Sequence, residues 1–271
     1  MSETRENQNR PSGAGGDAPA PVRWTEERVL DVHFWTPRLL SFRISRPAAF
    51  RFSAGHYARL GLMDAGGETV WRPLSMVSAP GEDCLEFVVA LVPDGAFSTL
   101  AATLAPGAAL RLDKSCFGFL TLDQLAPGRD LWLLASGTGI GPFVSLMRSP
   151  ETWQAFAHPV LVHSVRHAAE LVYRPELERL AAQSALRYFP VVTRDIPPAA
   201  LAARIPQLLA DGRLEKAAGL NLEAATGRIM VCGNPDLARE LRAWLTARGF
   251  ATSRRGLLGT RSHRVPASGP R

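Results

Sequence analysis

A glycine-rich segment after an apolar run has the clearest potential for ligand chemistry. Leu131–Ala135 is apolar enough to form a buried strand, and Gly137, Gly139 and Gly141 follow it at alternate positions before Pro142. A strand, a glycine turn and a helix with proline in its first turn can place a phosphate group at the helix N-terminus. The spacing misses the dinucleotide fingerprint G-x-G-x-x-G, because the sixth position from Gly137 is Pro142. The segment indicates a nucleotide site, and a strand-to-helix turn without a ligand is the alternative.

Arginines and a second turn accompany this segment. Arg166 and Arg194 come just after two further predicted strands, Arg204 begins a nearby helical run, and Cys232-Gly233-Asn234 ends another strand. Ligands of open parallel sheets bind beyond the C-terminal ends of the strands, so these residues can meet at one edge. Two guanidinium contacts would favour a phosphorylated ribose by roughly a thousandfold. The alternative is three unrelated surface arginines.

The sequence pattern of the first half predicts short strands separated by turns. One helical segment, Phe97–Leu104, interrupts them. Short strands at near-regular spacing are typical of an antiparallel barrel or sandwich. The predicted strands are residues 29–36, 39–45, 56–63, 69–78, 84–92 and 109–113.

In the second half, predicted strands and helices alternate. Such alternation implies right-handed crossovers and a parallel sheet with helices on both faces. The predicted strands are 131–135, 160–165, 188–193 and 228–232, and the helices are 142–147, 168–183, 199–209 and 235–248. We place the boundary near Asp123–Pro127. The resulting division is a disordered tail over 1–20, a β-barrel domain over 21–124 and an α/β domain with a basic C-terminal tail over 125–271.

The composition limits the class of protein and its partners. The 271 residues carry a net charge of +6 and are 46% hydrophobic, enough for one large or two ordinary domains. Cys84, Cys116 and Cys232 are far apart, which argues against a metal centre and favours a reducing compartment. No apolar run is long enough to cross a membrane, and the N-terminus has no signal-peptide core. We therefore expect a cytoplasmic protein with no metal, no membrane contact and a polyanionic partner.

Three motifs, in order along the chain, match one protein family. They are Arg72-Pro73-Leu74-Ser75 in the barrel half, and Ser136–Pro142 and Val231–Pro235 in the sheet half. With these motifs the chain resembles the bacterial-type ferredoxin/flavodoxin–NADP⁺ reductases. The resemblance implies a barrel that binds FAD and an α/β domain that binds NADP(H). It also implies hydride transfer between NADP(H) and FAD, and single-electron transfer between the flavin and a ferredoxin or flavodoxin.

The resemblance also assigns residues to FAD. Arg72 is expected on the FAD pyrophosphate, Pro73 and Leu74 beside the flavin, and Ser75 near flavin N5 as a catalytic residue. Phe97-Ser98-Thr99 matches the second phosphate contact, where helix-start N–H groups suit an anion. Leu74 departs from the family, which has an aromatic ring at this position, and the C-terminus lacks the family's aromatic residue.

Other residues are assigned to NADP(H) by the same resemblance. Thr138, with Gly137 and Gly139, is expected where flavin and nicotinamide meet. Arg166, Arg194 and Arg204 match the 2′-phosphate site, which favours NADP(H) over NAD(H). Gly233 and Asn234 would close over the nicotinamide, together with Cys232 as a second catalytic candidate.

Two alternatives stay open at this point. One is a reductase of free flavin or of another acceptor with the same fold, because Leu74 cannot stack on a flavin as an aromatic ring does. The other is a non-catalytic, basic nucleotide- or nucleic-acid-binding protein. We expect the reductase, acting as a monomer on an acidic carrier and without nucleic acid, since no basic run is interleaved with aromatic residues.

Overall fold

The computed structural model describes residues 22–195 and 201–251. The predictions for the two termini, including the tail over 1–20 and the basic segment from Arg254 with His263, lie outside the described residues. The first half contains β1 Trp24–Thr36, β2 Leu39–Ser45, β3 Tyr57–Met63, β4 Thr69–Ser75, β5 Cys84–Ala90, α1 Ala96–Ala101 and β6 Ala109–Phe117. The second half contains β7 Asp130–Ser136, α2 Gly141–Met147, α3 Pro150–Ala155, β8 His158–Val165, α4 Arg174–Gln183, β9 Arg187–Val192, α5 Ile205–Ala210, α6 Arg213–Ala218, β10 Gly227–Cys232 and α7 Pro235–Ala247.

The first half forms a six-stranded antiparallel sheet in the order β4-β3-β6-β1-β2-β5. It curls around a core in which Phe42 and Phe87 stack at 5.7 Å between ring centroids. The two edge strands approach each other just past β4, where Met76 pairs with Phe87 and the Val77 N–H donates to the Glu86 carbonyl at 2.8 Å. This is the antiparallel barrel that the turn spacing predicts.

The second half forms a parallel sheet in the order β10-β7-β8-β9. Successive side chains of the central strand β7 enter different cores, as strand geometry requires. Leu131 and Leu133 pack with α2 and α4, whereas Trp132 and Leu134 pack with α5, α6 and α7. Helices therefore cover both faces, and the predicted order of a barrel followed by a parallel α/β domain is confirmed.

Two predicted helices begin later than predicted, and the helical segment predicted over Phe97–Leu104 ends at Ala101 as α1. The predicted helix 168–183 is a short 3-10 turn over 168–170 followed by α4, because Tyr173 adopts a left-handed conformation with φ of 60°. The predicted helix 199–209 begins later, as α5, with Pro206 in its first turn. Proline fits the first turn of a helix and restricts the residue before it, so it sets the start. Residues 199 and 200 of that prediction lie outside the described residues.

A half-buried cluster of charged side chains around the buried Tyr173 joins the two halves. We call Arg148, Tyr173, Glu82, Glu86 and Glu176 the seam cluster. The guanidinium group of Arg148, at the end of α2, donates to both carboxylate oxygens of Glu176 at 2.7 and 2.8 Å. It also donates to Glu86 of β5 at 2.8 Å, and the Tyr173 hydroxyl donates to the other Glu86 oxygen at 2.9 Å. These contacts fix the orientation of the barrel relative to the sheet.

Candidate functional site

A cavity of about 800 Å³ lies between the barrel and the C-terminal edge of the parallel sheet. Its lining comes from the ends of β7, β8, β9 and β10 on one side and from the β1–β2 turn and the end of β5 on the other. Seven of the predicted NADP(H)-site residues line it together: Gly137, Thr138, Arg166, Arg194, Arg204, Gly233 and Asn234. The C-terminal ends of parallel strands converge here, as the topology requires.

Two glycines let the turns at the floor of this cavity approach each other. A Cβ on Gly139 would overlap the carbonyl of Cys232, and a Cβ on Gly233 would overlap the backbone and hydroxyl of Ser136. Gly233 also has a φ of 126°, which side-chain-bearing residues rarely adopt. The Ser136 hydroxyl accepts a hydrogen bond from the Asn234 N–H at 2.8 Å. The sequence therefore needs glycine at both positions to bring the two turns together.

A buried histidine, His163, supports the glycine turn from behind. Its Nε2 lies 3.1 Å from the carbonyl oxygen of Gly137, a residue with φ of 54°. Burial lowers the pKa of His163 to about 4, so the ring is neutral at pH 7 and Nε2 is the donor. Nδ1 has no hydrogen-bond partner within the described residues. From the sequence, His163 is predicted only to be a structural or surface residue. Its contact with Gly137 could not be predicted, because it depends on the register between β7 and β8.

The three predicted phosphate-binding arginines are not equivalent. Arg166 and Arg194 are neighbours, joined by a 3.0 Å hydrogen bond from the Arg194 N–H to the Arg166 carbonyl. Both side chains are exposed, and neither guanidinium group has a partner among the residues that the structure describes. Arg204 instead forms an exposed ion pair with Glu240 at 2.7 Å. Arg166 and Arg194 are therefore the cations that are free to bind an anion, and Arg204 would first exchange partners.

The barrel side of the site contains the Arg72–Ser75 motif. Arg72 and Pro73 are exposed, and Ser75 is half-buried at the end of β4. The carbonyl of Ser75 lies 3.9 Å from the position that a Cβ on Gly141 would occupy, so Ser75 is close to the start of α2. Leu74 is only 9% exposed and packs into the barrel core.

An aromatic pair outside the three sequence motifs lies beside Ser75. Tyr57 is paired with Ser75 across β3 and β4, and with Phe117 across β3 and β6. The rings of Tyr57 and Phe117 stack at 5.6 Å between centroids. Paired residues of antiparallel strands point to the same side of a sheet, so this row places an aromatic surface next to Ser75. Only the strand register reveals it.

The predicted second phosphate contact lies at the start of α1. Phe97 is buried in the barrel core. The Ser98 hydroxyl accepts from the Val92 N–H at 3.0 Å, and the Thr99 hydroxyl donates to the Gly95 carbonyl at 3.2 Å. Both hydroxyls therefore stabilise the turn before α1, and their contact with phosphate stays a prediction.

Cys232, the second catalytic candidate, ends β10 behind the cavity. Burial raises the pKa of its thiol to about 11, so it is a neutral thiol at pH 7. Its backbone contributes the close contact with Gly139, while the cavity itself is lined by Gly233 and Asn234. A catalytic role for the thiol stays a prediction.

Residues 22–195 and 201–251 contain no group of three or more His, Cys, Asp or Glu side chains that could hold a metal ion. No helix in these ranges has the length and apolar character needed to span a membrane.

Comparison with known proteins decides the family. Residues 133–243 match the oxidoreductase NAD-binding domain. Ferredoxin–NADP reductase A of Sorangium cellulosum is 38% identical over 243 residues, which cover 86% of each chain. The flavodoxin/ferredoxin–NADP reductase of Escherichia coli is 37% identical over 219 residues, covering 80% of this chain and 88% of the relative.

The chain belongs to the ferredoxin/flavodoxin–NADP reductase family.

A solved structure of this family matches both halves at once. The ferredoxin NADP⁺ reductase of Neisseria gonorrhoeae, with bound FAD and NADP, has a TM-score of 0.84 and 38% sequence identity. The match covers 89% of this chain and 98% of that one. The family resemblance inferred from three short motifs is thus confirmed over nearly the whole chain.

Proposed function

We propose that this member of the ferredoxin/flavodoxin–NADP reductase family is a flavoprotein that transfers hydride between NADP(H) and bound FAD, and single electrons between the flavin and a ferredoxin or flavodoxin. The observation that carries the proposal is the cavity between the barrel and the parallel sheet. The glycine turn, Arg166 and Arg194 line it from the sheet side, and the β1–β2 turn lines it from the barrel side. The guanidinium groups of both arginines have no partner among the described residues. Its relatives from Sorangium cellulosum and Escherichia coli have this activity in their names.

The described residues fit both coenzymes. Gly139 and Gly233 let the two turns lie against each other, and this contact leaves Gly137, Thr138 and Asn234 at the cavity, where a nicotinamide and its ribose would be held. Arg166 and Arg194 are free for the 2′-phosphate. On the barrel, the guanidinium group of the exposed Arg72 has no partner among the described residues and is available for the FAD pyrophosphate.

The chain's own contribution is binding and orientation. FAD, when bound, supplies the redox chemistry. Ser75 would hold the flavin edge between the barrel and the sheet, and Thr138 with its flanking glycines would hold the nicotinamide. Such contacts raise the rate by fixing the two rings in a reactive geometry. Cys232 would lie behind the nicotinamide site as a neutral thiol, and no proton transfer by the protein is required.

The same proposal includes the charge of the carrier protein, the oligomeric state and the cellular location. A net charge of +6 favours an acidic carrier and salt-sensitive docking. We further propose that the protein acts as a monomer in the cytoplasm and binds neither nucleic acid nor membrane. The non-catalytic alternative is set aside, because relatives that match over most of the chain are reductases by name.

The position of Leu74 favours one second candidate. Its side chain packs into the barrel core, so it offers no aromatic face to a flavin. FAD could then exchange as a substrate, and the protein would reduce free flavin. Stoichiometric FAD that stays bound through gel filtration would contradict this candidate.

Carrier reduction tests the proposed function. The purified, FAD-loaded protein is mixed with NADPH, cytochrome c and either ferredoxin or flavodoxin. We expect cytochrome c reduction that depends on the carrier and slows as salt is added, since docking is electrostatic. Reduction of free flavin without any carrier dependence would support the second candidate instead.

A further inference from the structure

Arg38 lies in the two-residue turn between β1 and β2, on the barrel side of the cavity. Its side chain is exposed and lines the cavity opposite Arg166 and Arg194. Within residues 22–195 and 201–251 its guanidinium group has neither an ion pair nor a hydrogen bond. It is therefore a third cavity arginine with a free charge, and it is contributed by the other half of the molecule.

The backbone of Arg38 is fixed although its side chain is free. Its N–H donates to the Thr36 hydroxyl at 3.2 Å, which closes the turn. Its carbonyl accepts from the Leu91 N–H at 2.8 Å, which ties the turn to the end of β5. A guanidinium group on a fixed backbone loses less conformational freedom when it binds an anion.

The packing of the barrel strands locates this turn along the cavity. β1 lies against residues 168–170, which follow β8, and β5 lies against the glycine turn over 137–140. The β1–β2 turn therefore faces the interval between the glycine turn and Arg166. A dinucleotide with its nicotinamide at Thr138 and its 2′-phosphate at Arg166 has its diphosphate in this interval.

Among the described residues that line the cavity, Glu170 is the one carboxylate, and its single negative charge is outnumbered by the lining arginines. Glu170 lines the cavity, but one of its oxygens accepts the N–H groups of Arg166 and His167 at 3.0 and 3.1 Å. Glu170 thereby fixes the segment after β8. The guanidinium groups of Arg38, Arg166 and Arg194 have no partner within residues 22–195 and 201–251, so three positive charges face one carboxylate and the balance is positive.

We propose that Arg38 binds the diphosphate of NADP(H) from the barrel side, so that both halves of the molecule hold the dinucleotide. The inference rests on the proposed function, because it assumes that the cavity takes this dinucleotide. The proposal adds a binding residue that lies outside the motifs. It also assigns the two anionic parts of the dinucleotide to different halves of the molecule: the sheet side binds the 2′-phosphate, and the barrel side binds the diphosphate.

Calorimetric binding of two probes to the FAD-loaded protein tests this division. NADP⁺ carries both phosphate groups, whereas 2′-AMP carries the 2′-phosphate and lacks the diphosphate. We expect Arg38→Gln to weaken NADP⁺ about tenfold, as for the loss of one charge-assisted contact, and to leave 2′-AMP unchanged. Arg166→Gln should weaken both probes. Arg179→Gln removes an exposed charge from α4, outside the cavity lining, and should change neither.

Two results would overturn the proposal for Arg38. If Arg38→Gln weakens both probes equally, Arg38 acts at the 2′-phosphate; if it weakens neither, Arg38 does not contact the dinucleotide. The FAD content of the variant shows that it is folded. A wild-type protein that binds neither probe would instead contradict the proposed function itself, so the two failures are distinguishable.

Discussion

Arg148 in the seam cluster and Arg166 in the cavity use the same guanidinium group in opposite ways. The side chain of Arg148 is 21% exposed and contacts Glu82, Glu86 and Glu176 at 3.5, 2.8 and 2.7 Å. Arg166 is exposed, and its guanidinium group has no partner within the described residues. An arginine whose donors are all used holds protein to protein, whereas one with free donors is available for a ligand.

Electrostatics makes the same distinction. Burial alone would lower the pKa of Arg148, but the carboxylates of Glu176 and Glu86 raise it above its ordinary value. The group is therefore locked in its charged form and bound to its partners. The seam thus fixes the geometry of the cavity, and the cavity keeps its own charge free.

The largest effect is expected from removing both free sheet arginines. In Arg166→Gln/Arg194→Gln, the loss of two charge-assisted contacts should cost about 4 kcal/mol, or roughly a thousandfold in kcat/KM for NADPH. The value for NADH should change by less than about threefold, because NADH has no 2′-phosphate. Steady-state assays with both coenzymes measure this, and Arg179→Gln is the control. Equal losses for both coenzymes would remove these arginines from the 2′-phosphate site.

The next effect should appear in stability rather than in coenzyme choice. Arg148→Met leaves three carboxylates without their shared partner, and we expect a loss of about 3 kcal/mol in the free energy of unfolding. Urea denaturation measures it, with Arg179→Met as the exposed control that should stay within about 0.5 kcal/mol. If both variants lose equally little, the seam cluster does not hold the two halves together.

His163, the buried histidine behind the glycine turn, should make the stability of the protein depend on pH. Burial holds the pKa of His163 at about 4 in the folded state, below its ordinary value, so between those values the unfolded chain binds more protons. Stability should therefore fall as pH falls, and His163 should contribute about 2 kcal/mol of the loss between pH 7 and pH 5. Urea denaturation at pH 7 and pH 5 measures this loss in the free energy of unfolding. The loss in His163→Gln should be smaller than that of the wild-type protein by this amount. The same slope in both proteins would show that His163 does not titrate this way.

The smallest effect is expected at Ser75. Replacing it with alanine removes one hydrogen-bonding group at the seam, worth about 1 kcal/mol or roughly fivefold in rate. Stopped-flow reduction by NADPH should slow by this factor while the dissociation constant for NADP⁺ is unchanged. Ser115→Ala, an exposed serine of β6, provides the control. Unchanged reduction in Ser75→Ala would remove this residue from the mechanism.

The features that the sequence predicts correctly are those carried by neighbouring residues. The turn spacing of the first half and the strand–helix alternation of the second half predict a barrel and a parallel sheet, and both are present. The glycine motif and the strand-end arginines predict residues that line one cavity, since parallel topology brings strand ends together.

Contacts between distant segments could not be predicted in this way. Arg38 faces Arg166 only because β1 packs beside the segment after β8. Tyr57 reaches Ser75 through the β3–β4 register, and Leu74 turns into the core although its motif suggests a ligand contact. Such placements depend on long-range packing rather than on local pattern.

The central claim is that the seam brings a bound flavin and a reduced nicotinamide together. An anaerobic titration of the purified protein with NADPH, followed in the visible spectrum, tests it most directly. We expect a yellow protein with one FAD per chain, bleached by NADPH far more readily than by NADH. A folded protein that stays colourless when FAD is supplied would contradict it.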